Sequence, residues 1–251
     1  MLGLERRQKI MEKIRLDRKV YVSELAKSFK VTEETIRRDL EKLESQDLLR
    51  RSYGGAVIAE STSDELSYTR RSAINSEGKL LIAEKAASLI HDGDTIMMDS
   101  STTCQALLQR LKGQRDITVI TNSIRLMNDF TGSGFKMICT GGTMRDSSCS
   151  LTGSIACQTL ARYYVDFAFI SYKSIDLKKG IMESNESESR IKSIMMQQAR
   201  KTVLLVDHSK FDKTAFVKCD NFARIDTLVT DVPPSKDWQE FLADQHINVI
   251  C

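Results

Sequence analysis

The chain has 251 residues, 41% of them apolar and 28% charged, enough to bury a core in one large domain or two smaller ones. The opening MLGLERRQKI lacks the apolar centre of a signal peptide, and no apolar run is long enough to cross a bilayer, so a cytoplasmic protein without a membrane partner is expected. Six scattered cysteines, with no CxxC pair and no histidine at ligand spacing, argue against a disulfide framework and a metal site, and no cofactor is expected.

The net charge of +3 becomes informative once divided. Residues 1–58 carry 14 Lys and Arg against 10 Asp and Glu, whereas the remainder carries 23 against 24. The positive excess lies in the first quarter, which points to a polyanionic partner at that end.

Residues 5–16 follow helical spacing through Ile10, Met11 and Ile14. Residues 20–22 read as a short strand. Ser23 is a candidate N-cap for a second helix with Leu25, Ala26 and Phe29 as its apolar stripe. Thr32 is a candidate N-cap for a third, in which Ile36, Leu40 and Leu43 fall at i, i+4 and i+7. Two short helices joined at Lys30-Val31 after a first helix form a helix-turn-helix pattern, whose last helix enters the DNA major groove with its N-terminal part. Arg37 and Arg38 occupy that part, and arginine can pair bidentately with guanine or hold a phosphate. Residues 48–52 and 56–58 read as strands with Gly54-Gly55 as the turn, a wing carrying Arg50 and Arg51. Either basic doublet alone would be a solvated face; together they could grip one duplex. The candidate DNA contacts are Ser23, Thr32, Glu33, Thr35, Arg37, Arg38 and Lys42 of the helical part, and Arg50 and Arg51 of the wing.

Residues 59–76 are polar and without a sustained period, and read as a linker between a winged helix-turn-helix domain (1–58) and a second domain (77–251). From 77 onward the pattern alternates. Helices are expected over 81–93, 104–111, 124–130, 155–163, 189–200 and 238–242, and strands over 95–98, 117–120, 137–139, 167–170, 203–206 and 227–229. This alternation predicts an α/β domain with a mostly parallel sheet covered on both faces.

Ligands of such sheets bind at the carboxyl ends of the strands. Asp99, Ser100, Ser101, Thr102 and Thr103 follow the first strand, Thr121, Asn122 and Ser123 the second, and Gly141 and Gly142 the third. Asp207 and Lys210 follow the strand at 203–206. Hydroxyls and free N–H groups at helix N-termini hold anions, and Lys210 adds a point charge suited to phosphate. Asp99, Asn122 and Asp207 suit sugar hydroxyls, so the crevice is expected to take a phosphorylated sugar. Each loop alone is ordinary turn and cap chemistry. His91, His208 and His246 are read as structural or exposed, and ESNESES as a solvated loop from which one carboxylate could turn inward.

The stretch SELAKSFKVTEETIRRDLEKLESQDLLRRSYGGAV resembles the N-terminal signature of the DeoR-type family of bacterial transcriptional repressors, most specifically in ETIRRDL and GGA. Tyr53 stands where that family usually has histidine. The resemblance continues through Lys79, HDGDTIMMDSSTT, VITNS, TGGTMR, 150–153, Glu188 and LLVDHSKF, and so covers nearly the whole chain. It implies a C-terminal domain with the fold of ribose-5-phosphate isomerase that senses a sugar phosphate. It also implies that Gly153 and Glu188 join Asp99, Thr102, Thr103, Asn122, Ser123, Gly141, Gly142 and Lys210 in lining the pocket. Ser101 and SYKS (171–174) depart from the family's glycines; each serine narrows the space, and Lys173 adds a cation beside the expected phosphate.

The function expected is therefore a DNA-binding regulator, a repressor of carbohydrate genes, acting as a homodimer or homotetramer on an operator. The alternatives are a sugar-phosphate isomerase, with Glu186, Glu188 or Asp207 as base, and a regulator with a closed crevice. The absence of a glycine-rich catalytic loop and the presence of the first domain favour the regulator.

Overall fold

A computed structural model describes residues 3–17, 19–46, 48–58, 62–63, 65–114 and 116–251. The chain forms two compact units, residues 1–61 and 62–251.

In the first unit, α1 (Gly3–Asp17), β1 (Lys19–Tyr21), α2 (Val22–Phe29) and α3 (Glu33–Glu44) precede a hairpin of β2 (Leu49–Ser52) and β3 (Gly55–Ile58). The three strands pair antiparallel in the order β1-β3-β2. Ile36, Leu40 and Leu43, the expected stripe, are buried with Ile10, Ile14, Leu25 and Leu49 in a single small core. Lys30 takes a left-handed conformation (φ 55°), and its N–H closes the end of α2 on the Ala26 and Lys27 carbonyls, which makes the turn into α3 tight. Asp39 of α3 is buried and accepts from Arg6 Nε (2.5 Å) and Arg7 Nη1 (3.2 Å), a charged tie between α1 and α3.

Tyr21 occupies the N-cap of α2, so Ser23 lies inside the first helical turn and caps nothing. Gly55 pairs with Tyr21 and Ser52 in the sheet, so the wing turns on Tyr53-Gly54.

The second unit opens with α4 (Tyr68–Ala73) and α5 (Ser76–Ala87). Then come β4 (Thr95–Met98), α6 (Thr102–Leu111), β5 (Thr118–Thr121), α7 (Ile124–Asp129) and β6 (Lys136–Cys139). A hairpin of β7 (Thr143–Arg145) and β8 (Ser150–Thr152) leads into α8 (Ser154–Leu160) and β9 (Val165–Ile170). β10 (Ser174–Asp176), β11 (Gly180–Glu183), α9 (Glu186–Gln197), β12 (Ala199–Leu205), β13 (Val217–Asp220), β14 (Thr227–Val229), α10 (Lys236–Asp244) and β15 (Asn248–Ile250) complete the chain.

Seven strands make a parallel sheet in the order β15-β14-β12-β9-β4-β5-β6. Side chains alternate across it, so each strand feeds two cores. Ile96, Met98, Val119 and Phe169 pack with α5, α6 and α7. Met97, Ile120, Ala168 and Ile170 pack with α8, α9 and α10 on the other face. β10, β11 and β13 form a separate antiparallel sheet that the sequence reading did not anticipate.

Residues 59–61 and 64 of the expected linker lie outside the described residues. The rest of that stretch differs from an unstructured linker: α4 lies within it, and Tyr68 is buried. The helix expected over 81–93 is α5, which ends at Ala87; it buries Ile82, Ala83 and Ala86 and leaves Leu81 52% exposed. Ala199 and Arg200, expected in a helix, begin β12, with Ala199 paired to Val165 of β9.

Candidate functional site

The first unit presents α3 and the wing. Thr32 caps α3 by accepting from the Thr35 N–H (3.3 Å), and the two hydroxyls lie 2.9 Å apart. Arg37 pairs with Glu33 (2.9 Å) and Arg38 with Glu34 (3.4 Å), one turn back along the helix. All four side chains are at least half exposed, so these pairs are weak and exchangeable for a phosphate or a base edge. Lys42 is exposed further along α3. The two wing arginines, in contrast, are not equivalent. The Arg51 N–H and Nε both donate to the Glu44 carboxylate (2.8 and 2.6 Å), which fastens the wing to α3. Arg50, on the other face of its strand, is exposed and has no carboxylate partner among the described residues. Tyr53 stands wholly exposed at the wing tip.

In the second unit, the loops after the parallel strands gather the expected residues at one sheet edge. Asp99, fully buried after β4, accepts from the Ser101 N–H (2.9 Å) on one oxygen and the Ser171 N–H (2.9 Å) on the other. Burial would raise its pKa, but Lys192 and these N–H groups outweigh that and hold it below the ordinary carboxylate value. Asp99 therefore ties two loops together. The Ser101 hydroxyl caps α6 through Cys104 N–H (3.1 Å), and Ser123 caps α7 through Leu126 N–H (3.2 Å). Thr121 Oγ1 accepts from the Ser123 N–H (3.0 Å). Ser100, Thr102 and Thr103 are buried between β4 and the first turn of α6, whose leading N–H groups have no intrahelical acceptor.

Asp207 spends one oxygen on the N–H (3.1 Å) and hydroxyl (2.5 Å) of Ser209. Lys210 donates to the Ser171 hydroxyl (2.8 Å), and desolvation, only partly offset by Asp207, lowers its pKa. Lys79 is buried and donates to the Arg71 and Ile74 carbonyls; burial, with Lys210 nearby, brings its pKa down to about 8. Lys173 extends to the Thr62 carbonyl (3.0 Å).

Gly141 and Gly142 turn the chain from β6 into the β7–β8 hairpin, and Gly153 turns it into α8. Asn122 is held against that hairpin: its Nδ2 donates to the Leu151 carbonyl (3.1 Å) and its own carbonyl accepts from Leu151 N–H (2.7 Å). Glu188, capped into α9 by Asn185 (2.9 Å), is buried and accepts from the Ser148 hydroxyl (2.9 Å) and from Ser150. ESNESES thus sends two carboxylates inward, Glu183 and Glu188, more than the single one expected. Asn122 Oδ1, Glu188 Oε2 and Arg145 Nε are buried without a hydrogen-bond partner.

Lys192 was missed by the sequence reading. Its buried ammonium donates to Glu183 and to the Ser171 carbonyl (2.6 Å), lies 3.4 Å from Asp99, and sits over the Tyr172 ring at 4.7 Å. Arg145 and Glu65 were also missed; they pair at 2.5 Å. Among the described residues no cluster of His, Cys, Asp or Glu is disposed to hold a metal, and no helix is long and apolar enough to cross a membrane.

Residues 6–62 match the DeoR-like helix-turn-helix domain, and residues 74–232 the DeoR C terminal sensor domain. The HTH-type transcriptional regulator YulB of Bacillus subtilis is 37% identical over 250 residues, covering 99% of this chain and 96% of that protein. The glycerol-3-phosphate regulon repressor of Escherichia coli is 30% identical over 250 residues, 99% of each chain. The HTH-type transcriptional repressor GlcR of Bacillus subtilis is 35% identical over 239 residues, 95% of this chain and 92% of that one. In fold, eIF2B delta from Chaetomium thermophilum aligns with a TM-score of 0.50 at 16% identity, over 64% of this chain and 58% of that one. Ribose 5-phosphate isomerase A from Methanocaldococcus jannaschii aligns with a TM-score of 0.41 at 19% identity, over 55% of each chain.

Proposed function

The chain belongs to the DeoR family of transcriptional regulators, and on that premise we propose that it represses carbohydrate genes by binding an operator, with an affinity that a phosphorylated sugar alters. α3 and the wing are the DNA-contacting surface. The effector site is the crevice at the carboxyl edge of the parallel sheet. One observation carries this reading: Lys79, Lys210 and Arg145 stand at the same edge as buried acceptors on Asn122 and Glu188 that lack donors. An anion bearing hydroxyl groups answers both needs. The effector acts by population shift, favouring one arrangement of a homodimer or homotetramer over another. The operator half-sites then lie about 10 base pairs apart, or a multiple of that.

The test is binding of the intact protein to the DNA upstream of its own gene, at fixed salt, with and without a panel of sugar phosphates. Specific binding altered by one member is expected; no specific binding would refute the regulator. No turnover of ribose 5-phosphate is expected, and turnover lost on Glu188→Ala would replace this reading with an isomerase.

The wing and helix should divide their labour. Arg50→Ala is expected to weaken binding to every sequence alike and reduce the salt slope by about 1, as for one phosphate contact. Arg37→Ala is expected to cost roughly 1–3 kcal/mol and to change the preferred base at one position. A uniform loss on Arg37→Ala would make it a phosphate contact. Binding titrations at several salt concentrations separate the two cases.

A further inference from the structure

We propose that Arg145 is an oxyanion seat that the protein's own Glu65 occupies, and that a ligand displacing Glu65 loosens the segment joining the DNA-binding unit to the sensor. The inference rests on the effector reading above and adds the route by which occupancy is felt.

Any signal from the second unit to the first along the chain passes through residues 62–75, and several of the described residues there are fastened to neighbouring loops. Glu65 Oε2 accepts from Arg145 Nη2 at 2.5 Å. The Tyr68 N–H donates to the Ser147 carbonyl (3.0 Å), in the turn of the same hairpin, and the Tyr68 hydroxyl reaches Gln105 of α6 (2.5 Å). Beyond Tyr68, Lys79 gathers the Arg71 and Ile74 carbonyls. The segment is thus held by polar ties to the β7–β8 hairpin, α6 and Lys79, and Tyr68 is its buried hydrophobic side chain among the described residues.

The Arg145 fork is only half used. Nη2 donates to Glu65 Oε2 and to Ser147 Oγ (3.4 Å), and Glu65 Oε1 accepts from Asn185 Nδ2 (3.5 Å), whereas the buried Nε has no hydrogen-bond partner and lies 3.9 Å from Glu188 Oε1. A phosphate oxygen pair can engage both N–H groups of that edge, which a single carboxylate oxygen does not. The neighbouring acceptors without donors, Glu188 Oε2 and Asn122 Oδ1, suit hydroxyls on the same ligand. The ligand class is therefore an oxyanion that carries hydroxyl groups. Its phosphate, with a charge of about −1.5 to −2 at neutral pH against −1 for a carboxylate, outcompetes Glu65 for Arg145, and the segment loses its ion pair.

Arg70 and Arg71 lie in that segment and make its release readable by limited trypsin cleavage of the full-length protein. Inorganic phosphate is expected to speed cleavage there in the unmodified protein. Glu65→Gln is expected to be cut roughly tenfold faster without any anion, as the loss of one charge-assisted hydrogen bond implies, and to gain little from phosphate. Glu65→Asp, which keeps the charge, should fall between, which separates the pair from a folding defect. Arg145→Gln should be fast and indifferent to phosphate. Cleavage of Glu65→Gln at the unmodified rate, or no response of the unmodified protein to phosphate, would overturn the seat. If phosphate accelerates cleavage but ribose 5-phosphate and the other sugar phosphates do not, the seat stands and the sugar-phosphate effector falls.

Discussion

Replacing Lys192 with methionine should destabilise the C-terminal unit by roughly 3–5 kcal/mol, the usual cost of removing one member of a buried charge pair. Methionine keeps most of the apolar stem, so the loss is electrostatic. Asp99 is fully buried and Glu183 nearly so, and the Lys192 ammonium is the nearest cation to both. Burial pushes both carboxyls up, yet Lys192 and local hydrogen bonds hold both below their ordinary values of 3.8 and 4.5. A depressed carboxyl contributes stability above its unfolded pKa, which is lost as pH falls through the folded value. In Lys192→Met the sign reverses. The two carboxyls then titrate above their unfolded values, and stability is lost as pH rises through that range. The deficit should therefore be widest at neutral pH and narrow below about pH 5. Thermal melts between pH 4 and 8 would show it, with a shift of roughly 6–20 °C at pH 7 for a unit of this size. A deficit independent of pH would mean that lost packing, and not stranded charge, is the cause.

Lys192 also marks the limit of what could be read from the sequence. In SESRIKSIMM, a lysine between Arg190 and Ser193 reads as one more solvated charge. Its burial depends on Glu183, which returns from a different sheet, and on Asp99, which is 93 positions earlier. The β10-β11-β13 sheet was hidden for a related reason: its strands have three or four residues, and β13 pairs across the whole of α9 and β12. By contrast, six strands of the parallel sheet were legible as short apolar runs, and the stripe Ile36, Leu40, Leu43 fixed the face of α3. Hydroxyls after strands were legible by type but ambiguous by role. Ser101 and Ser123 proved to be caps, which is the ordinary use of such residues, while Asn122 and Glu188 retain unused acceptors. Arg145 and Glu65 were each visible as charges, but nothing local told that residues 80 positions apart would meet.

The adjacent glycines of the wing should respond to alanine in different ways, and Gly55→Ala should be the more damaging by far. Gly54 has φ +78° at the wing tip with open space around it, so an alanine Cβ meets nothing and the cost is the left-handed backbone alone, about 1 kcal/mol. Gly55 has no such backbone demand. A Cβ there would lie 2.0 Å from the Val20 carbonyl oxygen and 3.2 Å from Tyr21 Cα, both backbone atoms of β1. The Tyr21–Gly55 and Val20–Ala56 pairs would have to part, and Val20 and Ala56 are core residues of this unit. We expect a loss of roughly 3 kcal/mol or more. A unit of about 60 residues has a total of only some 3–9 kcal/mol, so this is a large share of what holds it folded. Its thermal transition should drop by roughly 12–24 °C. Amide exchange in β1 and β3, read alongside affinity for duplex DNA, gives the comparison directly. Gly55→Ala should lose both protection and binding, while Gly54→Ala keeps the first and most of the second. Equal losses in the two variants would show that the wing needs glycine for its backbone angle, and that the close approach of β1 can relax.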